Sequence, residues 1–298
     1  MLRLGVDIGG TKTAIAVLDA DGAERLTRRG ATPAGAYDSA VAELAGMILE
    51  AERAAGSRCS VGIGIPGAVS ARTGLVKNAF NTAFNGGPMC ADLERQLARD
   101  VRIANDANCF ALSEATDGAA RGAHVVFGVI LGTGVGGGIV VGGRIVEGRN
   151  QVGGEWGHNP LPWMAPDEFP GPGCYCGRQG CIEQFVSGPA LERDHAALTG
   201  RALDSRTIAD EAAAGNAACK AALQRYVDRL ARALAHAVNF LDPDVIVLGG
   251  GLSNLNGLYS GVPPLLARFA YGGIVETPVV RAAHGDASGR RGAAMLWP

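Results

Sequence analysis

Three cysteines and one histidine lie close enough along the chain to bind a metal ion. Cys174, Cys176 and Cys181 fall within eight residues, and His158 precedes them. Three thiolates and one imidazole form the closed tetrahedral ligand set that is typical of structural zinc. The surrounding stretch, residues 153–183, is rich in glycine and proline and has no apolar core of its own. We therefore expect a zinc ion to order this zinc loop, contributing on the order of 10 kcal/mol to its folding.

Two acidic residues flank the four candidate ligands. Glu155 lies near the start of the zinc loop, and Glu183 is its last residue. A loop held by a metal ion would keep both carboxylates at fixed positions, which is how a substrate pocket can be built from a loop. Glu155 and Glu183 are therefore candidate substrate-binding residues.

The other four cysteines occur singly in apolar or helical surroundings, as expected of small buried hydrophobic residues. They are Cys59, Cys90, Cys109 and Cys219. The clustered three could instead form one disulfide and one free thiol in a secreted protein. However, the N-terminus reads directly into a strand, MLRLGVDIGG, without the pattern of a signal peptide. This favours a cytoplasmic protein, in which clustered cysteines stay reduced and bind metal.

A second set of candidate residues lies in three glycine-rich turns. Residues 132–137 match G-x-G-x-x-G, but a strand follows them where a dinucleotide site needs a helix. Residues 9–13 resemble a phosphate-binding P-loop, but glycine and lysine are not adjacent and a strand follows. Each turn alone could be an ordinary hairpin. Together they predict two turns whose backbone N–H groups face phosphates, with a third, residues 249–251, beneath an adenosine.

Two carboxylates complete the predicted chemistry. Asp7, at the end of the first strand, could hold Mg²⁺, which uses one or two carboxylates together with phosphate oxygens. Asp106 lies between a strand and a helix and could be either a helix N-cap or a catalytic group. Asn105 and Asn108 favour the second interpretation, because a sugar needs paired donors and acceptors. A carboxylate at a helix N-terminus is stabilised in its ionised form, which suits proton acceptance during phosphoryl transfer.

The elements that position these residues follow an α/β pattern that occurs twice. The pattern predicts strands at 2–7, 13–18, 61–65, 101–104, 125–131, 139–141 and 245–248, and helices at 36–55, 91–97, 107–115, 217–240 and 292–296. Residues 70–88 are predicted to form a loop, and residues 132–138 a turn. Two units that each open with a strand–turn–strand hairpin indicate a duplicated fold with layered sheets.

Length and composition limit the class of protein. The 298 residues are enough for two domains, and 47% hydrophobic with 19% charged residues is typical of a globular chain. No apolar run is long enough to span a bilayer, and a net charge of −2 leaves no basic face for nucleic acid. The 45 glycines, about twice the average usage, are clustered, which indicates tight turns near ligands.

These motifs resemble those of the bacterial ROK sugar kinases, of the actin/hexokinase-like ATPase superfamily. DIGGTKTAIAV, GIGIPG, NDAN, LGTGVGGG, GEWGH, CYCGRQGCIE and DPDVIVLGGG occur in the order of that family, over essentially the whole chain. Within it, the chain is most similar to fructokinases of the manno(fructo)kinase type, through VKNA, EWGHNPLPWM and the tail ETPVVRAAHGDASGRRGAAMLWP. N-acetylglucosamine kinases share much of this. Segment 78–85, NAFNTAFN, departs from the fructokinases where the family contacts its sugar, so the sugar stays open.

The resemblance implies roles for individual residues. Asp106 is the expected general base. The expected sugar-binding residues are Gly67, Asn81, Asn105, Asp106, Glu155, His158 and Glu183. The expected ATP and Mg²⁺ contacts are Asp7, Gly9, Gly10, Thr11, Lys12, Gly132, Thr133, Gly134, Gly136, Gly137, Gly250 and Gly251. His158 is expected to serve twice, with one ring nitrogen on zinc and the other toward the sugar.

The resemblance also implies an architecture. It predicts ribonuclease H-like duplicated domains, an interdomain active-site cleft and a homodimer. The expected small N-terminal domain comprises 1–112 and 285–298, and the expected large domain comprises 113–284 and carries the zinc loop.

The expected function is ATP-dependent phosphorylation of a hexose, with D-fructose converted to fructose 6-phosphate as the main hypothesis. N-acetylglucosamine kinase, or a broader kinase for mannose and glucose, is the alternative. A sugar-sensing regulator is disfavoured because no helix-turn-helix module precedes the first hairpin. An ATPase or chaperone of the actin superfamily would lack the zinc loop.

Overall fold

The first sheet contains five strands in the order β3-β2-β1-β4-β7. Its strands are β1 (Arg3–Ile8), β2 (Lys12–Leu18), β3 (Glu24–Ala31), β4 (Ser60–Ile65) and β7 (Val101–Asn105), and a separate two-stranded sheet joins β5 (Ala68–Val69) to β6 (Val76–Lys77). β1, β2 and β3 pair antiparallel, whereas β1, β4 and β7 pair parallel. The central β4 is buried almost throughout, as expected of a parallel strand covered on both faces.

β3 is absent from the sequence prediction. Its residues, ERLTRRGA, are mostly charged and mostly exposed, because β3 is an edge strand of the sheet. An edge strand with no buried face carries no apolar alternation, and charged side chains on it also discourage pairing with other chains.

The helices around this sheet are α1 (Tyr37–Ala55), α2 (Met89–Leu97), α3 (Asp106–Thr116) and α9 (Ser288–Ala294). α1 ends at Gly56 in the left-handed conformation. α9 packs against α3, β1 and β4 at very short distance. A Cβ added at Gly62 on β4 would lie 1.8 Å from the carbonyl oxygen of Ala293, so only glycine allows this approach. The C-terminal helix thus packs on the first sheet, although it begins at Ser288 rather than at residue 292.

The second sheet repeats the arrangement of the first. It contains β8 (Val125–Leu131), β9 (Val135–Val141), β10 (Arg144–Ile145), β11 (Val245–Gly249) and β12 (Val279–Arg281), in the order β10-β9-β8-β11-β12. β11 pairs parallel with β8 and with β12, and β10 pairs antiparallel with β9. The hairpin strands therefore occupy one side and the parallel strands the other, as in the first sheet. The predicted duplicated α/β fold is confirmed.

The remaining helices follow the zinc loop. They are α4 (Glu183–Val186), α5 (Gly188–Thr199), α6 (Ser205–Ala213), α7 (Ala217–Leu241) and α8 (Gly257–Phe269). α7 carries its buried residues at helical spacing, and Asn216 caps its N-terminus through hydrogen bonds from the backbone of Ala218 and Cys219. None of the helices has the length and apolar content needed to cross a bilayer.

The computed structural model describes residues 1–298, which divide into two units. Unit 1 comprises Met1–Gly122, Gly138–Gly154 and Ala283–Pro298, and unit 2 comprises Ala123–Gly137 and Glu155–Ala282. Compared with the expected division, unit 1 also takes residues 113–122, 138–154 and 283–284.

The contacts of α3 explain this difference. The buried carboxylate of Glu114 accepts hydrogen bonds from the backbone N–H of Ala119 and Ala283 and from the Ser288 hydroxyl. The segment beyond residue 112 is thereby tied to the C-terminal segment. A Cβ added at Gly138 would lie 2.2 Å from the Ala107 carbonyl oxygen, so the second half of β9 packs directly on α3.

Candidate functional site

The start of α3 presents the predicted base. Asn105, rather than Asp106, is the N-cap: its Oδ1 accepts hydrogen bonds from Ala107 N at 2.9 Å and Asn108 N at 3.2 Å. Asp106 is the first helical residue, half-buried, and its Oδ1 also accepts from Ala107 N at 2.8 Å. The sequence left open whether Asp106 is a helix N-cap or a catalytic group. The structure assigns the capping role to Asn105.

Gly67, which lies just after strand β4, contacts Asn105. The Asn105 Nδ2 donates to the Gly67 carbonyl oxygen at 3.1 Å. Gly67 has a φ of +88°, and an added Cβ would lie 2.3 Å from the Lys77 carbonyl oxygen. Glycine is therefore required here by both conformation and space. The structure brings Gly67, Asn105 and Asp106 together in unit 1.

The first glycine turn joins β1 to β2, as predicted. Gly9 N donates to the Lys12 carbonyl at 2.9 Å, which closes the turn. Thr32 holds the turn from the side: its N donates to the Thr11 carbonyl at 3.0 Å and its Oγ1 to the Gly9 carbonyl at 2.7 Å. Gly10, Thr11 and Lys12 are exposed. Sequence reasoning missed Thr32, because it follows the unrecognised edge strand β3.

Asn81 lies near this turn in unit 1. A Cβ added at Gly10 would lie 3.5 Å from Asn81 Cβ. The segment around Asn81 has a defined conformation: Asn78 has a φ of +62°, and Ala79 N donates to Asn85 Oδ1 at 3.0 Å. The NAFNTAFN segment therefore borders the first glycine turn.

Asp7 ends its strand next to α9. A Cβ added at Gly289 would lie 2.3 Å from Asp7 Oδ2, so the carboxylate packs directly on the α9 backbone. Burial raises the pKa of Asp7 from 3.8 to about 6, although the positive charges of Arg290 and Arg29 oppose the shift. A buried carboxylate with its negative charge only partly compensated is a suitable ligand for a cation.

The negative charges of Asp7 and Asp106 both disfavour ionisation of one buried thiol. Burial, followed by the negative charges of Asp7, Asp106 and Glu147, raises the pKa of Cys109 well above its ordinary value. Cys109 lies on α3 with no accessible surface. Its prediction as a buried hydrophobic residue is confirmed, and Glu147 is a further carboxylate of this region that sequence reasoning did not select.

The second glycine turn, Gly132–Gly134, is held by three hydrogen bonds within unit 2. Gly132 N donates to the Gly134 carbonyl at 3.0 Å, and Gly188 N donates to the Gly132 carbonyl at 2.8 Å. The third comes from Val135 N, which donates to Glu183 Oε2 at 2.9 Å. Thr133 and Gly134 are exposed. The end of the zinc loop therefore supports a predicted phosphate turn.

Two glycines of the predicted second turn belong to the following strand instead. Gly136 and Gly137 belong to β9, which begins at Val135, so the turn is shorter than the predicted 132–138. Gly137 is buried, and the Gly136 carbonyl accepts a hydrogen bond from Trp156 Nε1 at 3.4 Å. Runs of glycine are usually read as turns, but here glycine in a strand allows close packing: a Cβ at the neighbouring Gly138 would collide with α3.

The third glycine turn follows β11. Gly250 has a φ of +80°, and an added Cβ would lie 2.4 Å from the Leu131 carbonyl oxygen. Gly251 is exposed and begins a short 3₁₀ helix. Both residues predicted to contact adenosine therefore lie at the end of the buried strand β11, as expected.

The four candidate metal ligands converge. The ligand atoms of His158, Cys174, Cys176 and Cys181 all lie within 4.8 Å of one another. His158 Nδ1 lies 3.6 Å from Cys174 Sγ, and Cys176 Sγ lies 3.6 Å from Cys181 Sγ. Three sulfur atoms and one ring nitrogen at these separations fit a tetrahedral zinc ion. All seven cysteines are free, so the disulfide alternative finds no support.

The second ring nitrogen of His158 contacts a tyrosine. His158 Nε2 and the Tyr175 hydroxyl are 2.9 Å apart. Burial, followed by the negative charges of Glu183 and Glu155, raises the pKa of Tyr175 to about 12. The negative charges of both predicted sugar-binding carboxylates of unit 2 therefore disfavour ionisation of the hydroxyl that contacts His158. The family resemblance predicted that this nitrogen faces the sugar, and Tyr175 belongs to none of the predicted site residues.

A buried ion-pair network anchors the zinc loop to α7. Glu168, inside the loop, accepts hydrogen bonds from Arg232 at 2.7 and 2.8 Å and from Arg229 at 2.8 Å. Arg232 also donates to the Trp163 carbonyl at 2.9 Å. Burial works against the charged form of Glu168, but the two arginines hold its pKa down at about 2. The loop is therefore fixed by side chains as well as by its candidate metal site.

The structure thus divides the predicted residues between the two units. Unit 1 carries Asp7, Gly9, Gly10, Thr11, Lys12, Gly67, Asn81, Asn105 and Asp106, and unit 2 carries Gly132, Thr133, Gly134, Gly136, Gly137, Glu155, His158, Glu183, Gly250, Gly251 and the three cysteines. Each set combines a glycine turn with candidate sugar-binding groups.

Comparison with known proteins identifies the family. The ROK family matches residues 3–298. The N-acetyl-D-glucosamine kinase of Pectobacterium atrosepticum is 42% identical over 297 residues, covering 98% of this chain and 97% of that protein.

Two solved structures support the assignment. The ROK hexokinase from Thermus thermophilus superposes with a TM-score of 0.86 at 34% identity, over 99% of this chain and 97% of that one. A ROK family glucokinase from Streptomyces griseus, in complex with glucose and AMPPNP, gives a TM-score of 0.81 at 30% identity, over 99% of each chain. The predicted hexokinase-like α/β fold is confirmed. This chain belongs to the ROK family.

Proposed function

We propose that this chain is an ATP-dependent sugar kinase. The observation that carries the proposal is the start of α3, where Asn105 caps the helix and places Asp106 as its first residue. The full-length similarity to ROK kinases supports it. In the proposed reaction Asp106 accepts the proton of a sugar hydroxyl as that oxygen attacks the γ-phosphorus of ATP. The bond from the γ-phosphorus to the bridging oxygen breaks, and ADP leaves.

The two glycine turns are proposed to bind the phosphates of ATP. Carbonyls of each turn are tied back by hydrogen bonds, through Thr32 in one and Gly188 in the other. N–H groups of exposed turn residues are then available for phosphate oxygens. Asp7 is proposed to hold Mg²⁺, which neutralises phosphate charge when bound. Gly250 and Gly251 are proposed to contact the adenosine.

The zinc loop is proposed to present sugar-binding groups. His158, Cys174, Cys176 and Cys181 would hold the zinc ion as a structural element. Glu155 and Glu183 are proposed to accept hydrogen bonds from the sugar in unit 2 and His158 to contact it, with Gly67, Asn81 and Asn105 as the contacts in unit 1. Glu183 also accepts a hydrogen bond from Val135 N, next to the second glycine turn. The same side chain would therefore contact the sugar and hold the turn proposed to bind phosphate.

N-acetyl-D-glucosamine is the first candidate for the sugar. The relatives that match at 40–42% identity over nearly their whole length are N-acetyl-D-glucosamine kinases. D-fructose, the main hypothesis from the sequence, is the second candidate. It is favoured by VKNA and EWGHNPLPWM, which lie at the proposed sugar contacts.

A steady-state comparison of sugars tests the proposal. ADP release is measured with Mg-ATP and zinc-loaded protein against N-acetyl-D-glucosamine, D-fructose, D-mannose and D-glucose, and compared as kcat/KM. The proposal expects a sugar to stimulate ADP release, with N-acetyl-D-glucosamine highest. If D-fructose is highest, the acceptor assignment is wrong and the kinase assignment holds. If no sugar stimulates ADP release, the kinase assignment is wrong, and a sugar-binding regulator becomes the better explanation.

A further inference from the structure

Tyr175 lies between two candidate zinc ligands and contacts a third. It stands between Cys174 and Cys176, and its side chain is mostly exposed, at 71%. Its hydroxyl nevertheless lies 2.9 Å from His158 Nε2, and the two rings meet edge to face at 5.1 Å and 89°. An exposed tyrosine on a turn would ordinarily extend into solvent. Tyr175 instead folds back over His158. The geometry therefore indicates a specific contact between the two side chains.

The position of the two ring nitrogens fixes the direction of this hydrogen bond. His158 Nδ1 faces the sulfur cluster, 3.6 Å from Cys174 Sγ. A ring nitrogen that binds a metal carries no proton, so neutral His158 carries its proton on Nε2. Nε2–H therefore donates and the Tyr175 oxygen accepts. Outer partners of this kind orient metal-binding histidines and raise their basicity.

The Tyr175 hydroxyl also keeps a proton to donate. Its oxygen accepts from His158, so its own O–H stays available as a donor. A phenol can accept and donate at once. The hydroxyl therefore offers a hydrogen-bond donor beside His158, which is itself proposed to contact the sugar.

We propose that Tyr175 is a positioning residue, which holds His158 with Nδ1 toward the three cysteines and thereby sets both zinc affinity and sugar affinity. The zinc part stands on the loop geometry alone, and the sugar part rests on the proposed function. Removing the hydroxyl leaves the Nε2–H without its protein partner. Loss of such an outer partner typically weakens metal binding about 10- to 100-fold.

Tyr175→Phe tests the proposal, with Tyr271→Phe as the matched control. Tyr271 is also an exposed tyrosine of unit 2, at 95% exposure, and lies outside the zinc loop. Zinc affinity is measured by competition with a chromophoric chelator, and circular dichroism checks that each variant is folded. We expect Tyr175→Phe to bind zinc about 10- to 100-fold more weakly and Tyr271→Phe to match the wild type. Equal zinc affinity in all three proteins would overturn the zinc part.

A spectroscopic readout separates orientation from simple loss of packing. In zinc-loaded protein with ¹⁵N-labelled histidine, His158 should show a protonated Nε2 that exchanges slowly with water. The signal is assigned by its loss in His158→Gln. Tyr175→Phe should speed its exchange, whereas Tyr271→Phe should not. A His158 proton found on Nδ1 in the zinc-loaded wild type would also overturn the proposal.

Kinetics then test the sugar part. Tyr175→Phe with zinc at saturation should raise the KM for the sugar about 3- to 10-fold, the effect of one hydrogen bond. The KM for ATP and kcat should stay within about twofold. An unchanged sugar KM in an active enzyme overturns the sugar part only. If the wild type has no kinase activity, the proposed function fails, while the zinc measurements still decide the role of Tyr175.

Discussion

At the scale of single residues, two carboxylates of unit 1 differ in what surrounds them. Asp106 lies at a helix N-terminus, where backbone dipoles favour a negative charge. Asp7 is buried against the α9 backbone at Gly289, and burial raises its pKa to about 6. The structure therefore provides one carboxylate at a helix terminus, Asp106, and one whose ionised form a bound cation would stabilise, Asp7. This matches the roles of base and magnesium ligand in the proposed reaction.

The raised pKa of Asp7 predicts a pH dependence of stability in the absence of Mg²⁺. Between about pH 4 and 6 the folded chain holds a proton on Asp7 that the unfolded chain has released. The free energy of unfolding contributed by Asp7 therefore falls as pH rises through this window, by up to about 3 kcal/mol. Asp7→Asn should remove this contribution, so its stability relative to the wild type should increase from pH 4.5 to pH 7. Urea denaturation at four pH values measures this difference.

Magnesium provides the control for that experiment. Mg-ATP binding should reduce the difference at pH 7, because the cation compensates the buried charge in the wild type only. A stability difference that does not change with pH would contradict the account of Asp7.

At the scale of elements, the C-terminal helix α9 depends on glycine. Gly62 on β4 lets the Ala293 carbonyl approach to a distance that any side chain would prevent. Because α9 also contacts β1 and carries Gly289 beside Asp7, its position affects the site as well as the core.

Gly62→Ala should therefore destabilise the protein, and Gly46→Ala is its matched control. Overpacking of a close contact costs about 1–3 kcal/mol or more. Gly46, in the exposed part of α1, has open space around an added Cβ, so alanine there should stabilise by about 0.5–1 kcal/mol. Chemical denaturation of both variants measures the two effects. Equal effects at the two positions would contradict the packing account of α9.

The elements also show which parts of the fold could be predicted from the sequence. The hairpin β1–β2, the helices α1 and α7 and the strand β11 were predicted closely, because each has a regular apolar pattern and a clear terminating residue. β3 was missed because an exposed charged edge strand has no such pattern. Gly136 and Gly137 were assigned to the turn because glycine there serves packing, a tertiary constraint that local sequence does not reveal.

The same limit applies within the site. The Cys–His cluster could be predicted from spacing, since its ligand atoms converge as expected. Glu183 could be selected from its position beside the cysteines, but its bond to Val135 N joins residues far apart in sequence and could not be predicted. Thr32 and Tyr175 act through contacts rather than through motifs, so only the structure shows them.

At the scale of the whole molecule, the duplicated topology accounts for the two glycine turns that are proposed to bind phosphates. Both sheets have the same strand order, and each opens with a hairpin whose turn is rich in glycine. Duplication of one unit therefore provides two equivalent glycine turns, one in each unit. The units differ in what they add: unit 1 carries Asp106, and unit 2 carries the zinc loop. Homodimerisation stays a prediction from the family resemblance.

The most direct test of the account is the turnover of Asp106→Asn compared with its substrate binding. Asp38→Asn is the matched control, since Asp38 is an exposed acid in the first turn of another helix of unit 1. Calorimetry measures binding of Mg-ATP and of the sugar, and ADP release measures turnover. The account predicts that Asp106→Asn loses about 10²–10⁴-fold in kcat, binds both ligands within about threefold of the wild type, and that Asp38→Asn keeps full activity. Turnover of Asp106→Asn within tenfold of the wild type would contradict the assignment of Asp106 as the base.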